Sequence, residues 1–113
     1  MKMKLFIAAT LASSLVSPAV AGDYYEERLL CAVTAEAANA VMLARQAGVS
    51  MSEMMNIAEA AKPAAVAEMG REMVLDAFAR KKEHTEEDQQ RVVEAFESAA
   101  YLQCTRELRA ESK

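Results

Sequence analysis

Cys31 and Cys104 are the only thiols in this chain of 113 residues, and their setting decides which sulfur chemistry is open to them. They lack the Cys-x-x-Cys spacing of a redox catalyst, and the chain has no set of three or four ligands of the kind zinc requires. What remains is a structural disulfide, which needs an oxidising compartment. The N-terminus supplies one. Lys2 and Lys4 precede an uncharged run at residues 5–16, and Ala19, Val20 and Ala21 offer a small-x-small cleavage site before Gly22. Those are the three parts of a secretory signal peptide. Residues 1–21 are therefore read as a cleavable leader and residues 22–113 as one exported domain, located in the periplasm or secreted after cleavage near Ala21 and Gly22. Two cysteines allow a single intramolecular bridge. It closes a loop of about 73 residues and contributes on the order of 4 kcal/mol by chain entropy.

The methionines come next. Met42, Met51, Met54, Met55, Met69 and Met73 follow the leader, and Met51, Met54 and Met55 fall on one side of a short helix. Such a stripe ordinarily fills a core where helices cross. It can equally form a protein-binding surface, because the thioether side chain adapts to varied partners. Its third use is as a soft site for Cu(I). Arg45 and Gln46 close the helix just before this segment. They serve either as plain C-terminal residues of that helix or as part of an interaction corner, since arginine is frequent at binding hot spots. The candidate protein-binding residues are thus Arg45, Gln46, Met51, Met54 and Met55.

Other reactive groups are sparse. His84, the one histidine, sits in a charged connection and reads as a solvated side chain. Glu36 and Glu72 interrupt apolar stretches and could in principle act as a carboxylate pair, but no further motif accompanies them and both read as solvated. Tyr24, Tyr25 and Tyr101 lie towards the cysteine-bearing end, where they can pack over the bridge. No nucleophile elbow, P-loop, dinucleotide fingerprint or metalloprotease helix is present. The expectation is a protein that is not an enzyme, with no cofactor and no metal.

Charge narrows the partners. The chain carries 13 basic and 17 acidic residues, and loss of Lys2 and Lys4 with the leader leaves 11 against 17. This acidity argues against nucleic acid and against anionic membrane surfaces, both of which draw basic patches. The uncharged run of twelve residues is too short for a permanent anchor, which needs about 20. A soluble domain is expected, without stable membrane insertion.

Elements that could position these residues are helical throughout. Alanine, glutamate, methionine, leucine, arginine and glutamine dominate, and no stretch alternates with period two. A first helix is expected over residues 24–47, with Asp23 as N-cap and Glu26 completing a capping box. Leu30, Val33, Ala37, Val41 and Ala44 form its stripe, widened by Cys31, Ala35, Ala38 and Met42. Gly48 suits the left-handed position after its end. Ser50 and Glu53 make a second capping box for a short helix ending near Lys62, before Pro63. A third helix is expected over residues 63–80, with Val66, Met69, Met73, Val74, Ala77 and Phe78 on its apolar face. Thr85 caps a fourth helix to about Arg109, whose face is Val93, Phe96, Ala100, Cys104 and Leu108. Bonding Cys31 to Cys104 makes the first and last helices antiparallel. The fold expected is all-α: a small four-helix bundle, one helix short, clamped by a disulfide.

The run Ala44-Arg45-Gln46-Ala47-Gly48-Val49-Ser50-Met51-Ser52-Glu53-Met54-Met55, framed by Cys31 and by Tyr101-Leu102-Gln103-Cys104, resembles small exported helical proteins of proteobacteria and their phages that have no assigned function. That resemblance implies an exported helical domain and transfers no activity. A looser similarity, of architecture alone, is to the acid-stress chaperones of the periplasm. The function expected is a periplasmic protein-binding module, an inhibitor, immunity or accessory protein, whose partner is another exported protein. A holdase chaperone is the alternative, and Cu(I) binding through methionines a remote one.

Overall fold

A computed structural model describes residues 18–111, with side chains from Glu26 to Glu111. The basic start and uncharged run of the expected leader therefore lie outside the described residues, as do the side chains of Tyr24 and Tyr25. Four helices follow in order: α1 (Pro18–Ala47), α2 (Met51–Glu59), α3 (Ala64–Phe78) and α4 (Glu86–Glu111). Among the described residues there is no strand.

Helix ends follow the local chemistry. The α1 helix closes in a Schellman arrangement. Gly48 takes φ 95°, its N–H donates to the Arg45 carbonyl at 3.1 Å, and the Val49 N–H reaches the Ala44 carbonyl at 3.0 Å. Glycine adopts this left-handed conformation without the Cβ clash that other residues meet. Ser50 then caps α2, its Oγ accepting from the Glu53 N–H at 3.2 Å. Thr85 caps α4, its Oγ1 accepting from the Asp88 N–H at 3.1 Å. Pro63 is the N-cap of α3 rather than its first helical residue, and α2 stops at Glu59 with Ala60 as C-cap.

The start of α1 differs from expectation. The helix begins at Pro18, so Asp23 lies inside it and does not cap it. Once residues 18–22 are helical, the backbone donors near Asp23 find carbonyls four residues earlier, and a side-chain cap has nothing to satisfy.

Helices α1 and α4 form the long antiparallel pair. The Cys31–Cys104 disulfide, with Cα atoms 5.5 Å apart, joins them at one end. In their middle the Asn39 Nδ2 donates to the Glu97 Oε1 at 2.7 Å. At the other end Gln46 and Gln89 both bond the connection that precedes α4. Residue numbers thus rise on one helix as they fall on the other. The buried seam of α1 is Cys31, Ala35, Ala38, Met42 and Gln46, not the stripe centred on Leu30, Val33 and Ala37, which is exposed. Spacing of four, three, four and four runs nearly straight along a helix. The small alanines on it let the α4 backbone come close, and the bridge at Cys31 selects that face.

One core cluster contains Ala38, Met42, Ala77, Val93 and Phe96, with Val41, Met73, Val92 and Ala100 packed against it. It draws on α1, α3 and α4 and sits away from the disulfide. Helix α2 packs on α3 instead. A Cβ on Gly70 would lie 3.1 Å from the Ala58 Cβ, so the two helices cross where neither has a bulky side chain. Met54 on α2 and Val74 on α3 are buried on these two elements. The wholly enclosed side chains are few and mostly small, which leaves little apolar burial per residue and raises the value of the bridge.

Candidate protein-binding surface

The five residues singled out by sequence separate into two groups. Arg45 and Gln46 act on the connection between α3 and α4. Gln46 is 3% exposed. Its Nε2 donates to the Lys81 carbonyl at 3.1 Å, and its Oε1 accepts from the Glu83 N–H at 2.7 Å. The same Nε2 lies 3.5 Å from the Met42 Sδ. One side-chain amide thereby satisfies a donor and an acceptor of a loop that has no ladder of its own. Gln89 adds a bond from its Nε2 to the Glu83 carbonyl at 2.9 Å. Arg45 donates from Nη2 to the Arg80 carbonyl at 3.1 Å and stacks on the Phe78 ring, 4.5 Å from its centroid. These contacts latch the α3–α4 loop to the end of α1. Gln46, with both amide atoms turned inward, is a latch and not a contact surface.

The methionines divide in the same way. Met54 is buried and Met55 half-buried, while Met51 is exposed. Met54 is therefore core rather than surface, because the side of α2 that carries it faces α3. The stripe does not present three thioethers together. Among the described residues no group of three or more histidines, cysteines, aspartates or glutamates could hold a metal ion. His84 is exposed in the α3–α4 connection, and Glu36 and Glu72 are exposed on α1 and α3.

The feature that sequence reading missed is a groove towards the disulfide end. Helix α3 meets the core with its C-terminal half, through Val74 and Ala77, while Val66 and Met69 in its N-terminal half remain exposed. The gap between α3, from Met69 to Asp76, and the α1–α4 pair has a volume of about 380 Å³. Leu30 and Thr34 come from α1, Met69 and Met73 from α3, and Phe96, Ala99, Ala100 and Leu108 from α4. Cys104 also lines it, so the bridge forms part of its wall. Arg80 stands among the lining residues with its guanidinium over the Phe96 ring, 4.9 Å from the centroid. Gln103 and four carboxylates complete the lining: Glu72 and Asp76 on α3, Glu107 and Glu111 on α4. No family model, curated protein or solved structure matches this chain.

The signal for this groove was present in the sequence but assigned elsewhere. Leu30, Met69, Met73 and Leu108 all stood on apolar faces, and a helical apolar face is ordinarily covered. Here α3 spans 15 residues against 30 for α1 and 26 for α4. It is too short to cover the long pair along its whole length. On the opposite side of that pair lies a second, more polar depression lined by Asn39, Leu43, Gln46, Glu94 and Glu97, where Asn39 and Glu97 already satisfy each other.

Proposed function

We propose that this chain is an exported, non-enzymatic protein-binding module of the bacterial periplasm, acting on another exported protein as an inhibitor, immunity factor or accessory subunit. The observation that carries this reading is the solvent-open apolar groove between α3 and the α1–α4 pair. A concave, mainly apolar cleft with a few charged groups at its edge is the usual form of a binding site. The helix pair that forms its floor is fastened at both ends, and such preorganisation lowers the entropic cost of binding. The disulfide closes one end of the long pair, and the Arg45 and Gln46 latches hold the other. A disulfide also suits the oxidising space outside the cytoplasm, and no described helix is long and apolar enough to cross a membrane.

The test is mild crosslinking in the exported fraction, recovery of the tagged oxidised protein, and mass spectrometry. One stoichiometric partner, identified and lost when Ala99→Trp fills the groove, is the expected result. Many weak clients that rise at acid pH, with no change on groove filling, would replace this reading with that of a holdase.

A further inference from the structure

Resting on the reading of the groove as a protein-binding face, we infer that its occupant is an amphipathic helix of another exported protein, apolar along one stripe and carrying lysines or arginines on both flanks. The apolar floor and the charged rim argue for this together. Glu72 and Asp76 lie one turn apart on α3, and Glu107 and Glu111 lie one turn apart on α4. Each pair therefore lines one wall at helical spacing. Among the described residues none of these four carboxylates takes part in an ion pair. Arg80 is the one cation in the lining, and its guanidinium is committed to the Phe96 ring. Two walls of negative charge over an apolar floor complement a helix with basic flanks, and they repel an acidic one.

The walls also select the backbone form of the occupant. They are helices, and among the described residues there is no sheet edge, so an extended peptide would find no ladder of partners for its N–H and C=O groups. A helix satisfies its own backbone and offers apolar anchors at i, i+3, i+4 and i+7. A second copy of this chain is disfavoured by charge, since the chain without its leader carries 11 basic against 17 acidic residues and a copy would bring carboxylates against carboxylates.

The experiment uses the full chain expressed with its leader and recovered in oxidised form from the exported fraction. Two labelled helical peptides share one leucine stripe; one carries flanking lysines and the other flanking glutamates. Fluorescence anisotropy is expected to show that the lysine peptide binds and that added salt weakens it. Reversing the rim with Asp76→Lys and Glu107→Lys should lower its affinity by at least about fivefold and transfer preference to the glutamate peptide. Ala99→Trp fills the floor without altering charge and should also reduce binding. Glu94→Lys, on the opposite side of the long pair, should leave it unchanged. Melting curves by circular dichroism verify the fold of each variant, and if Ala99→Trp unfolds, the rim reversal decides. Equal binding of both peptides, no binding of either, or a dimer of this chain that occupies the groove would overturn the inference. Preference for the glutamate peptide, abolished by Ala99→Trp, would overturn the partner's charge while leaving the protein-binding reading intact. The crosslinking experiment tests that broader reading independently.

Discussion

At the scale of single residues, the amide of Gln46 is the most consequential polar group described. It pairs with the Lys81 carbonyl and the Glu83 N–H while itself buried. Gln46→Leu keeps most of the volume but leaves both loop groups without their partner. The expected loss is about 2 kcal/mol, by the usual cost of an unsatisfied buried polar group, and urea unfolding would measure it. If stability is unchanged, water must reach the loop and the latch is not what holds it. Gly48 poses a backbone question. Its φ of 95° is one that a Cβ resists, so Gly48→Ala should destabilise by about 1–2 kcal/mol. The Lys82 Nζ lies 3.4 Å from where that Cβ would stand, but it ends a flexible side chain and can move away. A thermal melt unaltered by the substitution would show that the Schellman turn is dispensable.

At the scale of elements, the crossing of α2 and α3 depends on the absence of side chains at Gly70 and Ala58. Glycine inside a helix costs about 1 kcal/mol relative to alanine, and here the close approach repays it. A Cβ at Gly70 would stand only 3.1 Å from that of Ala58. Gly70→Leu should therefore push α2 off α3, uncover Met54, and cost about 1–3 kcal/mol as overpacking usually does. Dye binding to exposed apolar surface, together with a lower urea midpoint, would report it. An unchanged midpoint would mean that α2 contributes little to the fold and that its well-capped start serves only to make it helical.

For the molecule as a whole, stability is unevenly distributed. The buried cluster of Ala38, Met42, Ala77, Val93 and Phe96 and the Arg45 and Gln46 latches hold the end where α1 finishes and α4 begins. The far end has exposed Leu29, Leu30, Val33 and Leu102 and relies on the Cys31–Cys104 bond. Reduction should lower global stability by up to about 4 kcal/mol, the chain-entropy limit for so long a loop. It should also act locally. Amide hydrogen exchange is expected to lose protection over residues 26–37 and 98–111 first, while residues 41–46 and 92–96 keep theirs. Uniform loss along both helices would show instead that the pair opens as one unit. Because the groove lies at the disulfide end, reduction should weaken peptide binding more than it weakens the core.

The sequence by itself determined the helices, the caps at Gly48, Ser50 and Thr85, and the pairing of the first with the last. Those depend on local chemistry: the glycine at 48, the hydroxyls at 50 and 85, and the helical recurrence of apolar residues. The bridge followed from there being two cysteines in a chain whose N-terminus reads as an export signal. Tertiary structure alone decided which side of each helix is covered. On α1 the apolar residues extend around more than one face, so periodicity does not distinguish the seam at Cys31, Ala35, Ala38 and Met42 from the neighbouring stripe at Leu30, Val33 and Ala37. The distinction comes from the partner helix, whose close approach needs the alanines. Likewise Gln46 looked like a surface residue because its partners, the backbone groups of Lys81 and Glu83, are brought to it only by the fold. The groove arises because α3 is shorter than the pair it packs on, a relation between elements that no local pattern encodes.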